Sequence, residues 1–343
     1  MKTKYLDART SQNATESIAE AAQILRAGGT VAFPTETVYG LGANALDPAA
    51  VAKIFSAKDR PDWDPLIVHI TDRRMLEQVA RVTPKAEKLV KAFWPGPMTL
   101  LLPRTADIPD AVTAARPLVG VRMPAHPIAA ALIQEAGVPV AAPSANRFGR
   151  TSPTTAQHVL EDLEDRIDAI LDGGPTTVGV ESTVLDPGEV GGPMLIYRPG
   201  AITPAMLEAV AGEVRIFQPT DKSEFTATPQ SLPSPGVGLR HYAPRAKLLL
   251  VTTESEFASQ VEQLTKDGER VGVMLPQGWP ETSATEVFQW AAWNDGHALA
   301  QRLFGGLREL DAHNVTTIVC PLPEAEGVGL AIRDRLQKAA RSK

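Results

Sequence analysis

Several short groups of residues combine cations, hydroxyls and amides in a way that suits a polyanion. Lys58 and Arg60 stand one residue apart in Lys-x-Arg-Pro, and Ser144 and Asn146 stand in Ala-Pro-Ser-Ala-Asn. Brought to one mouth, these four would suit a triphosphate: Arg offers a bidentate fork, Lys a point charge, and Ser and Asn uncharged donors. Each dipeptide alone is a weak signal, since both patterns recur by chance. Arg122 lies inside an apolar strand-like run, Gly-Val-Arg-Met-Pro, where a charge must be paired or bound to a ligand. On the residues alone, a structural ion pair and a ligand clamp weigh equally there. His69, in Leu-Ile-Val-His-Ile, is either a satisfied core histidine or a site imidazole. Thr35, Glu36, Thr37 and Tyr39 gather hydrogen-bonding side chains ahead of Gly40 and Gly42. Ser182, in Val-Gly-Val-Glu-Ser-Thr-Val-Leu-Asp, reads more often as a strand-edge serine, and Arg198 before Pro199-Gly200 is a surface charge or a phosphate clamp.

The elements that must hold these residues emerge from apolar patterning. Residues 30–33 and 66–70 read as buried strands, and Asp47-Pro48 starts a helix whose C-terminal end carries Lys58. Residues 15–28 read as an amphipathic helix closed by Gly-Gly, and residues 75–93 as helical. Short strands are expected at 98–103, 118–124, 139–142, 169–174, 181–186 and 196–200. Helices are expected at 127–136, from Ser152-Pro153 through 163, and at 204–212. The close mixing of strands and helices makes residues 1–213 an α/β domain with a mixed sheet. Residues 214–245 are rich in Pro, Ser, Thr and Gly and read as a linker. Its end carries His241 and Tyr242, which either pack against the second domain or loop back over the first domain's pocket as an active-site lid. In residues 246–343, strand and helix alternate as in a small doubly wound, Rossmann-like parallel sheet.

Bulk properties narrow the class. The 343-residue chain is long enough for two domains, with 43% hydrophobic and 22% charged residues. A formal charge of −6 argues against a general nucleic-acid binder, though it leaves room for a local basic cleft. The N-terminus lacks an apolar signal-peptide core, and no run of about 18 apolar residues spans a membrane. The single cysteine, Cys320, builds neither an intrachain disulfide nor a zinc cluster. These features point to the cytoplasm. Neither common phosphate-binding glycine loop is present, nor His-Glu-x-x-His, nor a Gly-x-Ser-x-Gly elbow.

As an ordered set, residues 29–70 together with Ala-Pro-Ser-Ala-Asn resemble the YrdC/Sua5 family of threonylcarbamoyl-AMP synthases. Lys-x-Arg-Pro precedes Pro-Leu-Ile-Val-His, and the Ser-x-Asn pair comes after a strand. The resemblance covers roughly residues 15–205, and the linker and last domain resemble the long Sua5 form. It implies a YrdC-like twisted mixed-sheet domain and a nucleotidyltransferase that joins L-threonine, bicarbonate or CO2 and ATP, releasing pyrophosphate. A threonylcarbamoyl transferase complex would then modify adenosine 37 of tRNA, with direct tRNA binding weak or indirect. Carried over by position, the threonine site comprises Thr37, His69, Arg122, Ser182 and the backbone at Ala142. ATP is held by Lys58, Arg60, Asp64, Ser144, Asn146, Ser152 and Arg198, with His241 from the linker.

Lys58 and Arg60 are the catalytic cations in this reading. Mg²⁺ arrives with ATP rather than at a protein metal site, and no tightly bound organic cofactor is expected. The family often has Asn where this chain has Asp64, and an anion beside triphosphate needs Mg²⁺ or Arg60 to compensate it. Two other classes compete. A non-catalytic tRNA-binding or regulatory module is opposed by the acidic charge and the lack of interleaved aromatics. A carbamoyl-transfer domain of the hydrogenase-maturation type would bring acylphosphatase-like and zinc-finger segments, and Cys320 alone cannot build the latter.

Overall fold

Two sheets organise the chain in the computed structural model, which describes residues 2–188, 191–218, 234 and 241–341. The first body runs β1 (Lys4–Asp7), α1 (Ser11–Arg26), β2 (Val31–Phe33), β3 (Gly40–Asn44), α2 (Pro48–Lys58), β4 (Ile67–His69), α3 (Arg73–Val79) and α4 (Pro84–Phe93). It continues through β5 (Met98–Pro103), α5 (Asp110–Thr113), β6 (Leu118–Arg122), α6 (Pro127–Ala136), β7 (Val140–Ala141), α7 (Ala156–Leu163) and β8 (Ala169–Asp172). It closes with β9 (Thr183–Asp186), β10 (Met194–Arg198), α8 (Pro204–Ala211) and β11 (Val214–Ile216). The second body holds β12 (Lys247–Val251), α9 (Glu254–Lys266), β13 (Val271–Gln277), β14 (Glu286–Ala292), α10 (Gly296–Ala312), β15 (Thr317–Pro321) and α11 (Gly329–Ala339).

The first sheet is twisted and mixed, in the order β1-β8-β2-β3-β7-β4-β6-β5-β9-β10-β11. β4 and β6 run parallel with His69 opposite Arg122, while β5 and β6 are antiparallel. β9 and β10 are antiparallel, so the start of β9 meets the end of β10 near Arg198. The second sheet, β12-β15-β13-β14, is parallel throughout, as a doubly wound unit requires. No described helix is long and apolar enough to cross a membrane.

Local chemistry explains where the observed elements differ from those expected. The helix read over 75–93 is two helices. Ala80 turns extended, and Thr83 then caps a new start by accepting from the Ala86 N–H, with Pro84 in its first turn. β3 reads Gly-Leu-Gly-Ala-Asn, a poor strand by propensity, but its glycines answer a packing need. A Cβ on Gly42 would stand 2.7 Å from both the Phe33 ring and the Val140 side chain. β1, β11 and β14 also lie outside the expected strands, and β11 pairs with β10 within the stretch read as linker. Most of that linker, residues 219–233 and 235–240, falls outside the described residues.

One apolar core fills the first body, from Leu6 to Leu207. The core of the second body takes in Val38 and Val180 from the first body and Tyr242 from the end of the linker, around Trp290, Phe304 and Leu336. The two bodies therefore share packed apolar surface. Gly179 marks a very tight approach. With φ of +81°, its added Cβ would lie 2.3 Å from Gln301 Cα and 2.4 Å from the Ala300 carbonyl, both in α10.

Gly179→Ala is therefore expected to cost about 2 kcal/mol or more, combining left-handed strain with an interface clash. Gly149, with the same φ of +81° and nothing within 4 Å of its Cβ position, isolates the backbone contribution. Urea midpoints of the two alanine variants measure the difference. Equal losses would show that the seam between the bodies is looser than described.

Candidate active site

The site lies outside the ends of the central strands, where β4, β6 and β10 finish and the turn between β2 and β3 closes over them. A narrow cavity of about 50 Å³ opens there. Thr37, Arg60, His69, Arg122, Ala142, Ser144, Ser182, Arg198 and His241 line it. Residues spread over more than 200 positions of sequence are thus brought together. Lys58, Asp64, Asn146 and Ser152, also singled out from the sequence, sit behind the wall and do not line the cavity.

Each buried cation at the site is held by a definite partner. Arg122 Nη1 donates to Thr37 Oγ1 at 2.8 Å and Nε to the Gly96 carbonyl at 3.3 Å. Its Nη2 lies 2.7 Å from Glu36 Oε1, close enough for an ion pair although not aligned as a hydrogen bond. Burial favours the neutral acid at Glu36, but Arg122 overcomes this and holds the carboxyl below its usual range. Arg60 Nη2 meets Asp64 Oδ2 at 2.9 Å and the Pro65 carbonyl at 2.8 Å. Burial nevertheless pushes the Asp64 carboxyl up and the Arg60 guanidinium down. Lys58 is fully buried, with its Nζ donating to the carbonyls of Ser144 and Asn146. Its ammonium therefore pins the Ser-x-Asn loop, and burial lowers its pKa well below the lysine range.

Hydroxyls and imidazoles complete the walls. Thr35 Oγ1 shares a 2.8 Å bond with Thr37 Oγ1, fixing the turn that presents Thr37 to Arg122. Ser182 Oγ bonds Thr99 Oγ1 at 2.8 Å and accepts from Arg198 Nη2 at 3.2 Å. Asn146 donates to the carbonyls of Arg147 and Arg150 and leaves its Oδ1 unpartnered. His69 is buried with an unpartnered Nδ1, and burial together with Arg122 lowers its pKa to about 3. It stays neutral through ordinary pH and so serves as a hydrogen-bonding group rather than a charge. His241 packs edge-on against Phe148 and Tyr242, and burial depresses its pKa as well. Both positions left open for the linker end are thus filled. His241 and Tyr242 line the cavity, and Tyr242 also stacks on Phe304 of α10 at 5.8 Å between ring centroids.

Sequence reasoning passed over Glu181 and Arg335 as site residues and named Tyr242 only as one half of a possible lid. Glu181 and Tyr242 line the cavity, and Arg335 reaches Glu181 from α11 with Nε at 2.7 Å from Oε2. A signal was available. Arg335 falls on the face of α11 that buries Ile332, Leu336 and Ala339, where a guanidinium demands a partner. Ser152 donates to the other oxygen of Glu181, which accounts for its place behind the wall.

Comparison with known proteins matches both bodies. Residues 23–200 fit the Sua5/YciO/YrdC family model described as "Telomere recombination", and residues 202–341 fit that described as "Threonylcarbamoyl-AMP synthase, C-terminal domain". A threonylcarbamoyl-AMP synthase of Pyrococcus abyssi is 44% identical over 93% of either chain. One of Bacillus subtilis is 44% identical over 99% of this chain and 98% of its own. The crystal structure of P. abyssi Sua5 complexed with L-threonine superposes with a TM-score of 0.89 at 40% identity, covering 99% of this chain and 98% of that one.

The buried neutral imidazoles set an acid limit on the fold. His69, held at about 3, and His158, at about 4, bind protons far less readily than they do when unfolded, and burial depresses His126 and His241 in the same sense. The unfolded chain therefore gains protons first as pH falls. Stability is fully present above pH ~6.5 and declines below it, for His69 by up to about 1.4 kcal/mol per pH unit. Urea midpoints from pH 7.5 to 5 should fall less steeply in His69→Gln than in the wild type. Parallel slopes would mean that His69 is protonated within the fold.

Proposed function

The chain belongs to the Sua5/YrdC family of threonylcarbamoyl-AMP synthases, and we propose that it makes L-threonylcarbamoyladenylate and pyrophosphate from L-threonine, bicarbonate or CO2, and ATP. The observation that carries this reading is one cavity walled by three guanidinium groups and a set of hydroxyls and neutral imidazoles. Such a site suits an amino-acid carboxylate at one end and polyphosphate at the other. The L-threonine complex of the P. abyssi relative supports the amino acid's identity.

On this reading threonine lies against Thr37, His69, Arg122, Ala142 and Ser182. Arg122, steadied by Glu36 and Thr37, takes the carboxylate, and the neutral His69 Nδ1 accepts from a hydroxyl or amine proton. The amine adds to CO2, losing a proton, to give N-carboxythreonine. That carboxylate attacks the α-phosphorus of ATP in line, and the bond to pyrophosphate breaks. Arg60 and Arg198 stabilise the leaving charge, with Ser144 and His241 beside them. Lys58 acts by locking the Ser144–Asn146 loop, and Ser152 by holding Glu181. Mg²⁺ enters as the ATP complex and supplies charge at the pyrophosphate. Asp64, behind the wall, faces Arg60 at 2.9 Å and compensates that buried guanidinium, which gives the Asp in place of Asn a use. Rate enhancement comes from positioning and electrostatics, which makes the chain a nucleotidyltransferase without a covalent intermediate. We place the reaction in the cytoplasm, upstream of a threonylcarbamoyl transferase complex acting on tRNA.

Pyrophosphate release from ATP and bicarbonate by the purified protein tests the reading. Release should require L-threonine, and Arg60→Ala and Arg122→Ala should each lower kcat/KM by about 10²-fold or more. Release indifferent to threonine would remove threonine as the substrate, and no release from the folded protein would end the synthase reading.

A further inference from the structure

Three guanidinium groups line the cavity, and two of them face a carboxylate. Arg60 has Asp64 at 2.9 Å and Arg122 has Glu36 at 2.7 Å. Arg198 pairs with none among the described residues; its Nε donates to the Ser182 carbonyl at 3.1 Å and its Nη2 to Ser182 Oγ at 3.2 Å. A rival is nevertheless on the same wall, because Glu181 directly precedes Ser182 and lines the cavity.

Glu181 is taken from the other side. Arg335 of α11 places Nε 2.7 Å from its Oε2 and Nη2 3.5 Å from its backbone carbonyl, while Ser152 donates to Oε1. Arg335 is 1% exposed, lies 5.2 Å over the Tyr242 ring, and is itself steadied by Asp334 at 2.6 Å. This pair crosses from the second body to the first, between residues far apart in the chain.

We infer that Arg335 is a positioning residue: by occupying Glu181 it keeps the Arg198 guanidinium open for an anionic ligand, which on the proposed function is the ATP polyphosphate. Remove Arg335, and a buried carboxylate is left beside a buried guanidinium that is hydrogen-bonded to neutral groups. Charge compensation then favours Arg198 turning onto Glu181, and its positive charge is cancelled before the ligand arrives. The second body thus contributes to anion binding through a residue that does not line the cavity. This rests on the ATP reading and adds to it the part of the chain that tunes ATP affinity.

Titration calorimetry with ATP, and separately with L-threonine, tests this on the full chain. Arg335→Met should raise the ATP Kd about tenfold or more and, because Arg198 also stabilises the leaving pyrophosphate, lower kcat/KM for ATP at least as much. Arg335→Lys should lose less, since it keeps a cation within reach of Glu181. The deciding variant is the double Glu181→Gln, Arg335→Met: with no carboxylate left to compete, ATP affinity should return to within about threefold of the wild type. It carries the test even if Arg335→Met does not fold. A double variant as weak as tenfold below wild type, or a folded Arg335→Met that binds ATP normally, overturns the inference while the synthase reading stands. Wild-type protein that binds neither ATP nor inorganic triphosphate overturns both.

Discussion

Burying positive charge without cancelling it is the constraint on which this structure depends. Lys58, Arg60, Arg122, Arg198 and Arg335 are all more than nine-tenths buried within one region. A desolvated cation is tolerated only with a hydrogen-bonded partner, and a partner that neutralises it fully leaves nothing for a ligand. The chain resolves this by graded compensation. Lys58 is spent on backbone carbonyls, Arg60 and Arg122 face single carboxylates, and Arg198 holds Ser182. The result is a cavity whose positive character is strongest where the hydroxyl wall is.

The fold brings these side chains to one edge. His69 and Arg122 share a rung because β4 and β6 are parallel neighbours, and Arg198 joins them because β10 ends where β9 begins. The turn between β2 and β3 is held by Thr35 and sends Glu36 and Thr37 toward Arg122, whereas Tyr39 points away to Asp172 and the Gly174 carbonyl. One turn therefore serves two ends, with polar residues forward and an aromatic anchor behind.

Much of this was readable in the sequence, for physical reasons that also mark the limit. Strands such as β5 and β6 are continuous apolar runs, and α2 announces itself by Asp47-Pro48, so both stand out locally. The ordered family pattern picked out nine residues of the cavity wall, together with Lys58, Asp64, Asn146 and Ser152 behind it, and left out Glu181. β3 was not legible, because its glycines are explained only by Phe33 and Val140 across the sheet. That Lys58 faces backbone rather than cavity depends on the path of the Ser144–Asn146 loop, which no local pattern encodes. Arg335 stood on an apolar helix face, yet its partner lies 154 positions away, so only the assembled structure identifies it.

The seam between the bodies has a consequence for how this chain can be divided. Val38 and Val180 flank the cavity in sequence and space, yet they pack into the core of the second body. Removing the second body would strip water-excluding cover from the turn and from Glu181 together, exposing aliphatic side chains and leaving the acid to Ser152 and Arg198. The linker therefore joins two halves of one site, and the sequence boundary between the domains is no boundary for chemistry. A shorter catalyst drawn from this chain needs polar replacements at Val38 and Val180 and a neutral residue at 181 before the second body becomes dispensable.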